Sequence, residues 1–267
     1  MREHLGDHYD RTSTFQQGRF DTLAEIIKTT LPDLGSLRSM LDIGCGSGGR
    51  TVQCFDIFPN LEHITAIDPD WEMIETAEKK YKDPRVTYRR FSSDDIPKLG
   101  AEGLKYDVAF SNFSIHWIEN KDKLLQDLHA VVNPGGYLVF SASQQLPDIL
   151  TMIDEYLRRE LNVPDAQKAF FHENAEALEK RITKNQWRII RSLEEIVHRD
   201  VESGSAYLDK WFSSSTTKAT YGKHLVELSP LSRSDIGFMM EQAFPGNTPG
   251  MELHFTENVM FMVAQRD

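Results

Sequence analysis

Apolar positions along this chain switch repeatedly between the helical period and the strand period. Phe20, Leu23, Ile26, Ile27 and Leu31 give one face of a helix, which Pro32 and Gly35 end. Short strand-like runs then alternate with helical ones. Strands are predicted at 38–43, 62–68, 86–91, 106–111 and 137–141, with helices at about 50–58, 71–81 and 121–132 between them. Asn133-Pro134-Gly135-Gly136 is a strong turn signal ahead of the fifth strand. This rhythm predicts an α/β fold with a parallel, doubly wound sheet and helices on both faces. Ligands on such sheets sit at the carboxyl ends of the strands, near the point where strand order reverses. The strand exits here are the glycine-rich turn after residue 43, Asp68, Ser92–Asp95 and Asn112–Trp117, so these segments are expected to share one cleft.

From about 144 to 191 the rhythm changes to long charged and apolar segments broken at Pro147 and Pro164, read as a block of helices. A sixth strand is predicted at 193–201, helices at 206–212 and 232–244, a turn at 245–250 and a closing strand at 252–265. The chain therefore divides into an N-terminal lid and helix (1–36), a ligand-binding core (37–143), a helical cap (144–192) and a stretch completing the sheet with further cap helices (193–267). Phe170, Phe171, His172, Tyr207, Trp211, Phe212, Phe238, Met239 and Met240 are the cap's apolar resources, shared between core packing and a hydrophobic pocket.

The net charge of −11 argues against a sequence-independent nucleic-acid surface, which needs a basic stripe. Two cysteines, Cys45 and Cys54, argue against a disulfide scaffold or a cysteine-rich zinc site, and no pair of His or acidic residues has trustworthy metal-ligand spacing. The first residues lack the apolar core of a signal peptide, and no window approaches a membrane span. The expectation is a soluble cytoplasmic protein, monomer or homodimer, with no metal, nucleic-acid or membrane partner.

The candidate chemistry starts in Met40–Gly49, where a short strand meets Gly44, Gly46, Gly48 and Gly49 and a helix follows. Gly44-x-Gly46-x-x-Gly49 satisfies the dinucleotide fingerprint, and Asp68 lies where the ribose acid belongs. Spacing alone does not separate nicotinamide enzymes from other ribose binders. Asp42 tilts the choice, because an acid two residues before the first glycine repels a pyrophosphate but suits a cationic amine. Only one mononucleotide half is signalled.

Asp42-x-Gly44-x-Gly46-x-Gly48, with Asp68 after strand two and Asn133–Gly136 before strand five, resembles the class I S-adenosylmethionine-dependent methyltransferases over roughly 38–142. The resemblance implies a Rossmann-like seven-stranded sheet with an antiparallel last strand, supplied by 252–265, and a helical lid inserted after strand five. It implies S-adenosyl-L-methionine as methyl donor and S-adenosyl-L-homocysteine as product. The turn from Gly44 through Cys45 and Gly46 to Gly48 would pass the methionine portion closely, with Asp42 acting on its ammonium directly or through water. Asp68 would accept from both ribose hydroxyls, Pro69 and Met73 would flank the adenine, and Ser92, Ser93 or Asp94 would cap it. Met73 reads equally as a helix core residue. Asn112 is counted with the donor side.

Tyr9-Asp10-Arg11-x-x-x-Phe15-Gln16-Gln17 and Asn112-Phe-Ser-Ile-His116-Trp117 are similar to the small-molecule carboxyl methyltransferases of the juvenile hormone acid, trans-aconitate and malonyl-carrier-protein type. That similarity implies a carboxylic acid as acceptor, held by Gln16 and Trp117, whose amide and indole N–H groups are neutral donors. A carboxyl group of ordinary pKa near 4.3 is already ionised at neutral pH and needs no general base. For an amine or phenol acceptor, His116 or His8 would be the base. The competing readings are an N- or C-methyltransferase on the same scaffold, a nicotinamide oxidoreductase, and an inactive binding protein.

Overall fold

The computed structural model describes residues 14–145, 151, 171–201 and 253–267. The chain divides into two compact units, one of 1–144, 173–195 and 259–267, the other of 145–172 and 196–258. The first unit holds most of the described residues and all of the architecture that positions the site.

A helix, α1 (Thr14–Thr30), precedes the sheet. Then come β1 (Ser39–Ile43), α2 (Gly49–Ile57), β2 (His63–Ile67), α3 (Trp71–Lys80), β3 (Val86–Arg89), α4 (Ile96–Ala101), β4 (Tyr106–Asn112), α5 (Lys121–Val131) and β5 (Val132–Ser143). α6 (Ala175–Lys184), β6 (Trp187–Val201) and β7 (Leu253–Arg266) complete the described elements. The sheet has seven strands in the order β3-β2-β1-β4-β5-β7-β6. β1 pairs in parallel with β2 and β4, and β4 with β5. β7 runs antiparallel to β5, with Val139 opposite Val263. Strand order reverses between β1 and β4, and the glycine turn leaves β1 at that point, where open α/β sheets bind ligands. The Rossmann-like seven-stranded sheet with its antiparallel last strand is thus the expected fold.

The alternation within each strand builds two core layers. Leu41, Ile43, Ala109, Leu138, Phe140, Met260 and Met262 pack on one face with Leu99, Leu124, Leu128 and Leu178 of α4, α5 and α6. The intervening Met40, Phe110, Val139, Phe261 and Val263, all buried, face the other way. There Phe20 of α1 meets Phe110 edge-on at 6.1 Å, so the helix carrying Gln16 is docked on the sheet beside the end of β4.

The elements differ from expectation in four places. α1 begins at Thr14 and takes in Gln16 and Gln17, placed ahead of the helix by their polarity. Asn133–Gly136 does not stand outside the fifth strand: β5 begins at Val132, and the turn chemistry appears as a register irregularity against β4 with Gly135 at φ 79°. A Cβ on Gly136 would sit 2.8 Å from the Asp107 carbonyl oxygen, so close strand approach explains that glycine. Residues 187–191, expected in the helical block, open β6, because Trp187 is buried with its indole N–H on the Leu125 carbonyl while Arg188 is exposed. α4 was not anticipated, being six residues long.

Of the cap expected over 144–192, residues 146–150 and 152–170 lie outside the described residues. So do residues 1–13, including His8, Tyr9, Asp10 and Arg11, together with the helices expected at 206–212 and 232–244 and the turn at 245–250. No helix among the described residues is long and apolar enough to cross a membrane.

Candidate donor and acceptor site

The glycine turn is shaped by three left-handed residues, Gly44 at φ 73°, Gly46 at φ 54° and Gly48 at φ 88°. The first has a packing reason as well. A Cβ on Gly44 would lie 2.4 Å from the Cβ and Oγ of Ser114, and the Ser111 and Ser114 hydroxyls both donate to the Ile43 carbonyl at 2.9 and 2.7 Å. The exit of β4 is thereby pressed against the exit of β1. Gly48 serves the opposite wall, since its Cβ would meet Ala77 Cβ and the Tyr88 hydroxyl at 2.8 Å. The Gly44 and Cys45 N–H groups donate to the Ile67 carbonyl, which ties the turn to the end of β2.

Asp68 follows β2 directly. Its Oδ2 accepts from the Gly46 N–H at 3.0 Å and its Oδ1 from the Asp70 N–H at 2.9 Å. These backbone donors hold the carboxylate in place and leave each oxygen a second lone pair for a ligand hydroxyl. Asp42, at the end of β1, is 2 % exposed and accepts from the Thr51 hydroxyl at 2.6 Å. Burial pushes Asp42 up to about 7; the Thr51 bond opposes this and the Asp68 charge adds to it. Burial likewise pushes Asp68 up to about 6, against the Asp70 and Gly46 N–H groups. When ionised, the two acids repel a pyrophosphate and attract a cation. Burial, aided by Asp68 and Asp42, also drives the Cys45 thiol well above its ordinary value, so this cysteine is a small wall residue and not a nucleophile.

A cavity of about 160 Å³ opens beside the turn. Asp42, Gly44, Cys45 and Ser47 line it from the strand end and turn, Gly49, Arg50, Val52 and Gln53 from α2, and Tyr81, Gln16 and Asn112 complete the wall. Asn112 joins the two sides: its Nδ2 donates to the Gln16 carbonyl at 3.1 Å, and its Oδ1 accepts from the Ser141 hydroxyl at 3.0 Å. The Gln16 Oε1 is buried with no hydrogen-bond partner among the described residues. A buried amide atom without a partner is costly and marks a place where a ligand belongs. The donor cradle therefore fits the expected group, by two acids at the strand ends and by glycines where side chains would intrude.

Beyond Asn112 the chain makes a strained corner. Phe113, not a glycine, sits at φ 61°, and its N–H donates to the Ser141 carbonyl at 3.0 Å. The ring of Phe113 packs edge-on to His116 at 4.7 Å, and His116 lies 4.7 Å from Trp117. His116 is buried and its Nδ1 accepts from the Ser143 N–H at 3.3 Å. In the neutral ring this bond places the proton on Nε2.

The sequence-derived site residues divide into two groups. Gln16, Asp42, Gly44, Cys45 and Asn112 line one cavity, and Asp68 is bonded to the same turn through Gly46. The others stand around this centre. Pro69 is exposed, and Met73 is 4 % exposed within α3. Ser92 is occupied in a capping box with Asp95, its N–H and hydroxyl both on Asp95 Oδ2, while Ser93 is half-buried. Asp94 is exposed and paired with Lys123 at 3.4 Å. His116 and Trp117 form the corner after β4 and are outside the cavity lining. Sequence reasoning missed Ser47, Thr51, Arg50 and Gln53. The last two sit three apart on the first turns of α2, a spacing that puts both on one helix face.

Residues 41–140 match the family model described as a methyltransferase domain. Malonyl-acyl-carrier-protein O-methyltransferase of Bacillus cereus is 35% identical over 133 residues, 50% of this chain and 47% of that protein. A second enzyme of that name from Ilyobacter polytropus is 29% identical over 187 residues, 66% of this chain and 69% of that protein. The matched region thus spans about half the length of the Bacillus cereus relative. Among solved structures, the YcgJ protein of Bacillus subtilis superposes with a TM-score of 0.57 at 16% identity, covering 92% of this chain and 98% of that one, a likeness of fold.

Proposed function

We propose that this chain, which carries a class I S-adenosylmethionine-dependent methyltransferase domain, methylates a carboxylate oxygen of a small molecule. The single observation that carries the reading is the cavity, where Asp42 and the glycine turn meet Gln16 and Asn112. One side suits a cationic, amino-acid-bearing nucleoside; the other offers neutral amides to an anion. The donor supplies an electrophilic methyl group on a positively charged sulfur. In the balanced reaction the acceptor oxygen bonds to the methyl carbon as the carbon–sulfur bond breaks, and the electron pair stays on sulfur. The products are a methyl ester and S-adenosylhomocysteine.

The residues at hand support this division of labour. Gln16 would orient the acceptor through an amide N–H without a tight ion pair that blunts the oxygen's nucleophilicity, and Trp117 would add its indole N–H from the corner after β4. No proton has to be removed from a carboxylate that is already ionised at neutral pH. Rate would then come from alignment and exclusion of water, worth roughly 7–11 kcal/mol of barrier. Pro69, Met73 and the Ser92–Asp94 segment are assigned to the adenine end. The relatives' names place a malonyl group on a carrier protein as their acceptor. From them we take the carboxyl chemistry and leave the acceptor a small acid.

Thermal shift with S-adenosylhomocysteine against NAD tests the donor half, because a ligand that binds the folded state raises Tm. The reading predicts stabilisation by the homocysteine compound alone and its loss in Asp68→Ala. No shift at millimolar concentration would overturn it.

A further inference from the structure

The cavity beside the glycine turn has a second charge that the donor reading has not used. Arg50, on the first turn of α2, lines it together with Asp42, and the two are linked through Thr51, the residue after Arg50, whose hydroxyl bonds Asp42 at 2.6 Å. Arg50 Nη1 donates to Gln53 Oε1 at 2.9 Å, and Gln53 lines the same wall. Among the described residues, no carboxylate lies within ion-pair distance of Arg50, although eleven other arginines and lysines hold one. A half-buried guanidinium on a cavity wall, bonded to a neutral amide and not to a carboxylate, can take an anion that arrives with the ligand.

We infer that Arg50 holds the carboxylate of the donor's methionine end, opposite Asp42 on its ammonium. The inference rests on the proposed donor and names the partner of its second charge. An amino acid carries its cation and anion on one carbon, and a wall with an acid and an arginine joined by consecutive residues matches that pair. Gln53 acts as a positioning residue by holding the guanidinium against the wall. The acceptor carboxylate then belongs to Gln16, on the other side of Asn112, and the two anions occupy separate partners.

The test compares two ligands on the intact protein by isothermal titration. S-adenosylhomocysteine carries the amino-acid end, whereas 5′-methylthioadenosine keeps the nucleoside and sulfur without it. Arg50→Gln is expected to weaken S-adenosylhomocysteine roughly 10- to 100-fold and to change 5′-methylthioadenosine less than about twofold. Arg50→Lys recovers part of the loss, and the Tm of the ligand-free variants stays near wild type. Equal weakening of both ligands, or no change in either, would overturn the assignment to the donor carboxylate. A raised acceptor KM with unchanged S-adenosylhomocysteine affinity would overturn it in favour of the acceptor. If neither ligand bound the wild-type chain, the donor reading itself would fail.

Discussion

The two halves of the site are built by different means. The donor half is local and made largely of backbone: one turn, two strand ends and an N–H pair that clamps Asp68. The acceptor side we propose rests on side chains from distant segments, Gln16 and Trp117, and Asn112 of the donor side bonds the Gln16 backbone carbonyl across 96 residues of sequence. A backbone cradle resists change, because its glycines are fixed by the atoms that crowd them. A side-chain wall can be altered residue by residue without disturbing the turn. On the proposed assignment, the contrast separates a backbone-built donor side from an acceptor side that single substitutions can alter.

The largest effect expected from this contrast is on the backbone side. Gly44→Ala forces a Cβ to 2.4 Å from Ser114 at φ 73°, whereas Gly103→Ala meets open space at φ 80°. Chemical denaturation should show a loss of about 3 kcal/mol or more for the first and about 1 kcal/mol for the second. Equal losses would mean that the turn is set by its dihedral angles and not by the close approach of β4. On the side-chain side, Gln16→Ala should lower kcat/KM for the acceptor about 10- to 100-fold and leave S-adenosylhomocysteine affinity within about twofold. A collapse of S-adenosylhomocysteine affinity would move Gln16 into the donor half.

The acids allow a gentler perturbation. Asp42 and Asp68 have folded values of about 7 and about 6 against an ordinary 3.8. Between those values the folded chain binds more protons than the unfolded one, so stability falls as pH rises. The contribution is full below about pH 4 and is lost as pH climbs through about 6 and 7. Differential scanning of the ligand-free protein should show Tm dropping by a few degrees from about pH 5 to about pH 8, with Asp42→Asn flattening the upper part. Bound S-adenosylhomocysteine brings an ammonium that favours ionised Asp42, so its stabilising shift should be larger at the alkaline end. The smallest effect is expected at the turn after β3. Asp95→Ala removes the capping box and should cost about 1 kcal/mol while leaving S-adenosylhomocysteine affinity nearly intact.

The same contrast decides what was legible in the sequence. Strand and helix periods marked β1 to β4 with α2 and α3, whose apolar positions follow one period, whereas α4, six residues long, is too short to show one. The turn geometry at Gly44 and the acids Asp42 and Asp68 at the strand ends were legible because a left-handed turn and an acid at a strand end leave local marks. Arg50 and Gln53 left none, since an arginine on an exposed helix turn reads as a solvated charge until the cavity beside it is seen. The Asn112–Gln16 bond depends on α1 packing Phe20 against Phe110, a contact that no local pattern announces. Residues 187–191 were misread because Trp-Arg-Ile-Ile-Arg satisfies both periods over so short a run, and burial of Trp187 beneath α5 decides for the strand. Asp95 caps its own turn, which separates it from the exposed Asp94 beside it.

The central claim, that the methyl group goes to a carboxylate, is tested most directly by the fate of the transferred label. The protein is incubated with methyl-labelled S-adenosylmethionine and a panel of small carboxylic acids with matched amines and phenols, and the products are treated with mild base. Methyl esters release labelled methanol under these conditions; N-, C- and phenol-ether methyl products do not. The account predicts label transferred to acids and released by base, at a level that Gln16→Ala reduces. Label accumulating in base-stable products would contradict it.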